Sequence, residues 1–115
     1  MATIKSYTDI EQSRKLAEFL PTESADMYYK PADGFCTETS EIMVGNVKYA
    51  HPRSVPCWSL AGLLDVLPKS LIYTPNPTLD GYYCKNIMHD METYGKNPVD
   101  ACYELVLKLH ELKML

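Results

Sequence analysis

The chain has 115 residues, 46% of them hydrophobic and 23% charged, and a formal net charge of −4. This is the composition of one globular domain able to bury a core without staples, and it excludes a fibrous or disordered chain. Eleven Lys and Arg are scattered along an acidic sequence, which argues against a nucleic-acid module, since those gather basic residues on one face.

The opening residues Met1-Ala2-Thr3-Ile4-Lys5 run into polar sequence without the apolar core of a signal peptide. No stretch approaches the roughly 18 apolar residues that cross a bilayer. A cytoplasmic protein with no membrane association is therefore expected. In that compartment the thiols of Cys36, Cys57, Cys84 and Cys102 are expected to be reduced.

The first predicted element is a helix that starts at Thr8, where Thr8 and Glu11 stand at capping-box spacing. Ile10, Leu16, Ala17, Phe19 and Leu20 share one half of its wheel, while Glu11, Arg14, Lys15 and Glu18 share the other. Pro21 is expected to stop it, because proline disfavours helical geometry in the residue before it. Met27-Tyr28-Tyr29 reads as a strand, and residues 30–40 as an exposed loop containing the turn Ala32-Asp33-Gly34. Gly45-Asn46 then has the chemistry to close a tight hairpin between Ile42-Met43-Val44 and Val47-Lys48-Tyr49.

A short second helix is predicted over residues 59–67. Ser59 caps it, Leu60, Leu63, Leu64 and Leu67 recur at helical spacing, and Pro68 stops it. Strands follow at residues 71–73, 82–88 and 91–94, with residues 74–81 as a loop and His89-Asp90 as a turn. The last helix is the clearest. Asn97 caps it, Pro98 takes the first position where its missing N–H costs nothing, and Asp100 sits in the positive first turn. Its pattern continues to about residue 113. The fold class implied is α+β, with three helices packed on a small antiparallel sheet in the order α-β-β-β-α-β-β-β-α.

The chemistry-bearing residues do not assemble into a recognised motif. Structural zinc sites use close pairs such as C-x2-C, whereas here the nearest pairs are His51/Cys57 and Cys84/His89, six and five residues apart. Cys57 precedes a helix, whose dipole favours a thiolate, but its neighbours Pro56 and Trp58 are apolar and favour a buried, inert thiol. Glu23/Asp26 and Asp90/Glu92 are close enough in sequence to meet, as any solvated acidic face would be. The five glycines supply turns rather than a phosphate cradle. Nine tyrosines offer stacking surfaces, yet only isolated Lys30, Lys48, Arg53 and Lys85 accompany them. No cofactor is expected, and no catalytic or metal-binding residue is assigned.

The positive signal is the girth of the last helix. A helix lying on a core needs an apolar stripe of roughly 100°, and this one is apolar over about 240°. Asp100, Glu104, Lys108 and Glu111 occupy the remaining arc of about 80°. Either packing against the sheet and the other helices consumes all of the apolar surface, or the stripe Tyr103, Leu107, His110 and Met114 is left open as a partner surface or dimer interface.

Three stretches carry a resemblance. They are Leu20-Pro21-Thr22-Glu23-Ser24-Ala25-Asp26-Met27, then Val55-Pro56-Cys57-Trp58-Ser59-Leu60-Ala61 through Leu67-Pro68-Lys69-Ser70, and Asn97-Pro98-Val99-Asp100-Ala101-Cys102 through Lys108-Leu109-His110-Glu111-Leu112. The chain resembles a family of small uncharacterised proteins encoded by phages and mobile elements of gut anaerobic bacteria. Residues 30–50 and 74–95 are outside the likeness. The resemblance implies an accessory protein that modulates another protein, and it carries no functional residue with it.

The leading expectation is thus a non-enzymatic protein-binding module, acting on an unidentified protein partner or on itself as a homodimer. A small metal- or thiol-dependent enzyme and a weak nucleic-acid-binding protein are the readings set against it.

Overall fold

Which polar side chain begins the first helix depends on what else that side chain must satisfy. In the computed structural model, which describes residues 5–68, 73–77, 81–86 and 91–115, Thr8 is fully buried and its groups are already engaged. Its N–H donates to the Trp58 carbonyl at 2.9 Å, and its hydroxyl accepts from the Trp58 N–H at 3.2 Å and lies 2.7 Å from Ser13 Oγ. The cap therefore falls one residue later than expected. Asp9 accepts from the Gln12 N–H at 2.8 Å, and Gln12 Oε1 accepts from the Asp9 N–H at 3.1 Å, a reciprocal pair that satisfies two orphan donors. Helix α1 runs Ile10–Ala17. It unwinds through a turn to Leu20, and Pro21 precedes a short 3-10 helix, Thr22–Ser24.

The described residues gather into two compact units, residues 7–62 and residues 63–115 with the segment 5–6. In the first, β1 (Met27–Tyr29) lies between β2 (Ile42–Val44) and β3 (Val55–Cys57), all antiparallel. Tyr28 stands opposite Met43 on one side and Pro56 on the other. Helix α1 packs on β3. Ile10, Tyr29, Cys36 and Cys57 form a core cluster, bordered by Tyr7, Met27, Ile42 and Val55. Trp58 is fully buried, with its indole N–H donating to Ser24 Oγ at 3.0 Å.

Two further expectations fail in this unit. Gly45-Asn46 does not close a hairpin, because β2 pairs with β1 and residues 47–49 form a 3-10 turn. Asn46 explains the change: its side chain accepts from the Lys48 N–H at 3.0 Å and donates to the carbonyls of Thr22 and Ala25 at 3.0 and 3.1 Å. The third strand is instead Val55-Pro56-Cys57. Proline is tolerated there because β3 is an edge strand of this sheet and the missing N–H breaks no ladder bond.

Helix α2 (Leu60–Val66) starts as expected at Ser59, whose Oγ accepts from the Gly62 N–H at 3.1 Å. Asp26 holds that cap: its Oδ1 accepts from the Ser59 N–H at 2.9 Å and its Oδ2 from the Ser59 hydroxyl. The carboxylate lies so close to the helix that a Cβ at Gly62 would stand 2.7 Å from Asp26 Oδ1.

In the second unit β4 (Tyr73–Pro77), β5 (Tyr82–Asn86) and β6 (Met91–Gly95) form an antiparallel sheet in that order. β4 replaces part of the loop expected over residues 74–81; its prolines again sit on an edge strand. The expected strand residues 71–72 and 87–88 and the turn residues 89–90 lie outside the described residues. Helix α3 (Pro98–Glu111) packs on the sheet. Gly95 has no Cβ where one would collide with the Ala101 N–H.

The α+β class and the element order α-β-β-β-α-β-β-β-α thus match the sequence expectation. Among the described residues, however, the strands are divided between two three-stranded sheets rather than gathered in one. Among the described residues no helix is long and apolar enough to cross a membrane.

Candidate partner-binding groove

Helix α3 is fixed at its start by the residues the sequence singles out. Asn97 Oδ1 accepts from the Asp100 N–H at 2.9 Å, its amide donates to Asp100 Oδ2 at 3.0 Å, and Pro98 opens the first turn. Asp100 also receives Lys5 Nζ at 2.7 Å, a half-buried ion pair that ties the segment before residue 7 to the helix. Thr93 of β6 donates its hydroxyl to the Ala101 carbonyl at 2.8 Å, fixing the strand against the helix's first turns.

The buried residues of α3 are Val99, Ala101, Cys102, Leu105, Val106 and Leu109. At 100° per residue they cover an arc of about 160°. This is far less than the helix's apolar girth, so packing within the unit does not consume all of it. Tyr103 and Leu107 are half-buried, and His110 is exposed. These three lie side by side on the helix, in the order the sequence implies.

Met114 does not belong with them. The helix ends at Glu111, and Lys113 takes a left-handed conformation with φ 58°. The Met114 N–H then reaches back to the Leu109 carbonyl at 2.9 Å and the Lys113 N–H to the His110 carbonyl at 3.0 Å. This reversal is a Schellman turn, and it takes Met114, 36% exposed, off the helical wheel.

The open side of α3 forms a concavity with β6, an edge strand of its sheet. The groove has a volume of about 330 Å³ and is lined by Glu92, Thr93 and Tyr94 from the strand and by Glu104, Leu107, Lys108 and Glu111 from the helix. Of the four predicted contact residues, only Leu107 lines it. The opposite wall is Tyr94, 63% exposed, whose ring leans toward Tyr83 with centroids 6.4 Å apart and whose hydroxyl donates to Glu92 Oε2 at 2.7 Å. That bond to a carboxylate raises the Tyr94 phenol above its ordinary range. Three carboxylates and one ammonium share the lining with a threonine, a tyrosine and a leucine.

Sequence reasoning misses the strand wall. Glu92, Thr93 and Tyr94 alternate exposed, buried and exposed, so Tyr94 shares the face of an acid. Glu104, Lys108 and Glu111, which the sequence places in a charged arc beside the apolar stripe, line the groove.

A second concavity of about 390 Å³ lies in the other unit among Asp9, Ile10, Glu11, Arg14, Cys36, Thr37 and Glu38. Its polar groups serve the fold: Asp9 caps α1, and Arg14 donates to the Cys36 carbonyl at 2.8 Å. The remaining chemical candidates of this unit are dispersed. His51 Nδ1 accepts from the Arg53 N–H at 3.0 Å, and Cys57 donates to the Thr8 carbonyl at 3.3 Å. Burial pushes the Cys57 thiol up, the opposite of activation by a helix dipole. His89 lies outside the described residues, and among those described no three His, Cys, Asp or Glu side chains gather as a metal ion requires.

Comparison of the chain with protein-family models, with curated proteins and with solved structures finds no match.

Proposed function

We propose that this protein is a non-enzymatic binding module that receives a segment of another protein in the groove between α3 and β6. The observation that carries the reading is the concavity beside α3, lined by half-buried Leu107 and exposed Tyr94. The tyrosine and leucine of the lining suit an apolar anchor, since tyrosine gives large contact area at low entropic cost. Glu92, Glu104 and Glu111 outnumber Lys108, so the occupant that fits is a segment whose apolar anchor is flanked by Lys or Arg. A second copy of this chain, itself carrying a net charge of −4, fits the same acidic groove less well. The resemblance to proteins of phages and mobile elements supports a cytoplasmic accessory role, in which occupying a partner's basic segment modulates that partner.

The test uses the full chain with two synthetic amphipathic peptides, one of Lys and Leu and one of Glu and Leu, read by fluorescence anisotropy. The Lys/Leu peptide is expected to bind, to bind less tightly as salt is added, and to lose roughly tenfold in affinity with Leu107→Asp, equivalent to about 1.4 kcal/mol. Equal binding of both peptides, or undiminished affinity in Leu107→Asp and in Glu104→Lys/Glu111→Lys, overturns the reading. A dimer by light scattering that Leu107→Asp converts to monomer assigns the groove to self-association instead. If Leu107→Asp unfolds by circular dichroism, the surface charge variant decides alone.

A further inference from the structure

Cys84 on β5 and Cys102 on α3 are both fully buried, and their sulfurs lie 3.8 Å apart. The other two thiols have no sulfur beside them in the structure's hydrogen bonding. Cys36 donates to the carbonyls of Tyr29 and Arg53 at 3.4 and 3.5 Å, and Cys57 donates to the Thr8 carbonyl. Each donates to the backbone. Only the pair in the second unit joins sulfur to sulfur, and it does so across two elements that pack on each other.

The geometry points to a redox-active dithiol: a hydroperoxide oxidises Cys84 and Cys102 to an intramolecular disulfide that fastens α3 to β5. A disulfide needs its sulfurs at about 2.05 Å, so roughly 1.8 Å must close, a distance within reach of side-chain rotation. The chemistry balances in two steps. The Cys84 sulfur attacks one peroxide oxygen, the O–O bond breaks, and a sulfenic acid forms with release of water or an alcohol. The Cys102 sulfur then attacks the sulfenic sulfur, forming the S–S bond and expelling a second water. The two cysteines lose two electrons and two protons in total, and the peroxide accepts both. Either thiol can donate in the 3.8 Å contact. The contact lowers the Cys84 thiol below its ordinary range, while the same contact with burial drives the Cys102 thiol up. Cys84 is thus the nucleophile and Cys102 the resolving thiol. Because both are buried, reaction proceeds through local opening, and a small oxidant is favoured over a bulky disulfide.

The inference stands independently of the groove. It is tested by treating the full chain with hydrogen peroxide, quenching in acid, denaturing, alkylating and mapping by mass spectrometry. The four alkylated cysteines are expected to fall to two, with one linked peptide pair containing Cys84 and Cys102 and an upward shift of the urea midpoint that dithiothreitol reverses. Cys36→Ser/Cys57→Ser is expected to behave as the parent chain does. In Cys102→Ser the sulfenic acid should persist on Cys84 and be trapped by dimedone. Four thiols surviving an oxidation that visibly converts methionine to its sulfoxide would sink the idea, as would a linkage mapped to Cys36 or Cys57. If Cys102→Ser does not fold, the map of the parent chain decides.

Discussion

In residues 7–62 every described strand has three residues and the longest helix eight, whereas the sheet of residues 73–95 is built of five-residue strands and is followed by a helix of 14. The interiors differ in the same sense. The shorter elements surround a hub of buried polar groups. The Thr8 carbonyl accepts from the Tyr29 hydroxyl at 2.7 Å, from Cys57 at 3.3 Å and from Ser13 at 3.4 Å, while the Thr8 side chain serves Trp58 and Ser13. The longer elements are closed by Val99, Leu105, Val106 and Leu109, which carry no polar atoms in their side chains. Aliphatic burial is proportional to area and indifferent to direction. A hydrogen-bonded hub is directional, and each missing member leaves another buried group unsatisfied. Loss of one hydroxyl should therefore matter much more in the first unit than in the second.

The sharpest way to break that comparison is a pair of isosteric substitutions at the two buried threonines. Thr8→Val leaves the Trp58 N–H without its side-chain acceptor and Ser13 without its nearest partner, and is expected to cost about 2 kcal/mol. Thr93→Val removes a single bond to a helical carbonyl, that of Ala101, and is expected to cost less than about 1 kcal/mol. Urea unfolding followed by circular dichroism measures both. Equal costs, or a larger cost at Thr93, would mean that the interior of residues 7–62 depends on its hydrogen bonds no more than that of the other unit does.

A second prediction separates the hub's hydrogen bonds from its electrostatics. Burial, with smaller contributions from the neighbouring Cys57, Tyr7 and Asp9, holds the Tyr29 phenol well above its ordinary value. The folded state therefore retains a proton that the unfolded state releases above about pH 10, and stability falls as pH rises through that point. Tyr29→Phe is expected to cost about 1 kcal/mol at neutral pH, through the bond to the Thr8 carbonyl. That carbonyl keeps its other two donors, which limits the loss. Above pH 10 the variant should lose stability less steeply than the parent chain. Parallel curves from pH 8 to 11, by urea titration at each pH, would remove Tyr29 from the hub's account of alkaline sensitivity.

The same contrast governs what could be read from the residues. α3 was legible because its signals are local: Asn97, Pro98 and Asp100 act within one turn of each other, and the aliphatic period continues for three turns beyond them. The start of α1 was misread by one residue because the competition for the Thr8 hydroxyl comes from Trp58, 50 positions away. β3 was invisible for a related reason. Val55-Pro56-Cys57 is too short to display an alternation of period two, and it becomes a strand only because β1 lies beside it. The apparent turn Gly45-Asn46 was decided by carbonyls of Thr22 and Ala25 more than 20 residues earlier. The groove was half legible. The surplus apolar girth of α3 located Leu107, but the wall formed by Glu92 and Tyr94 depends on how β6 meets the helix, which no single period encodes.

Met114 is the remaining misreading, and it yields the smallest prediction. A wheel continued at 100° per residue assumes that the helix goes on, yet Lys113 stands in the left-handed region that favours glycine, with φ 58°. Lys113→Gly relieves that strain but also removes a cation from the negative end of the helix, an interaction of about 0.3–1 kcal/mol. The two effects oppose each other, so Lys113→Gly alone is expected to change stability little. Lys113→Ala isolates them, because it loses the same charge and keeps the Cβ. Glycine should therefore exceed alanine by about 1 kcal/mol in urea unfolding. Should the two variants prove equal, the chain end does not hold the left-handed turn in solution. Residues 112–114 would then extend the helix, Met114 would rejoin Tyr103, Leu107 and His110 on one stripe, and the surface beside the groove would be longer and more apolar than the folded-back end allows.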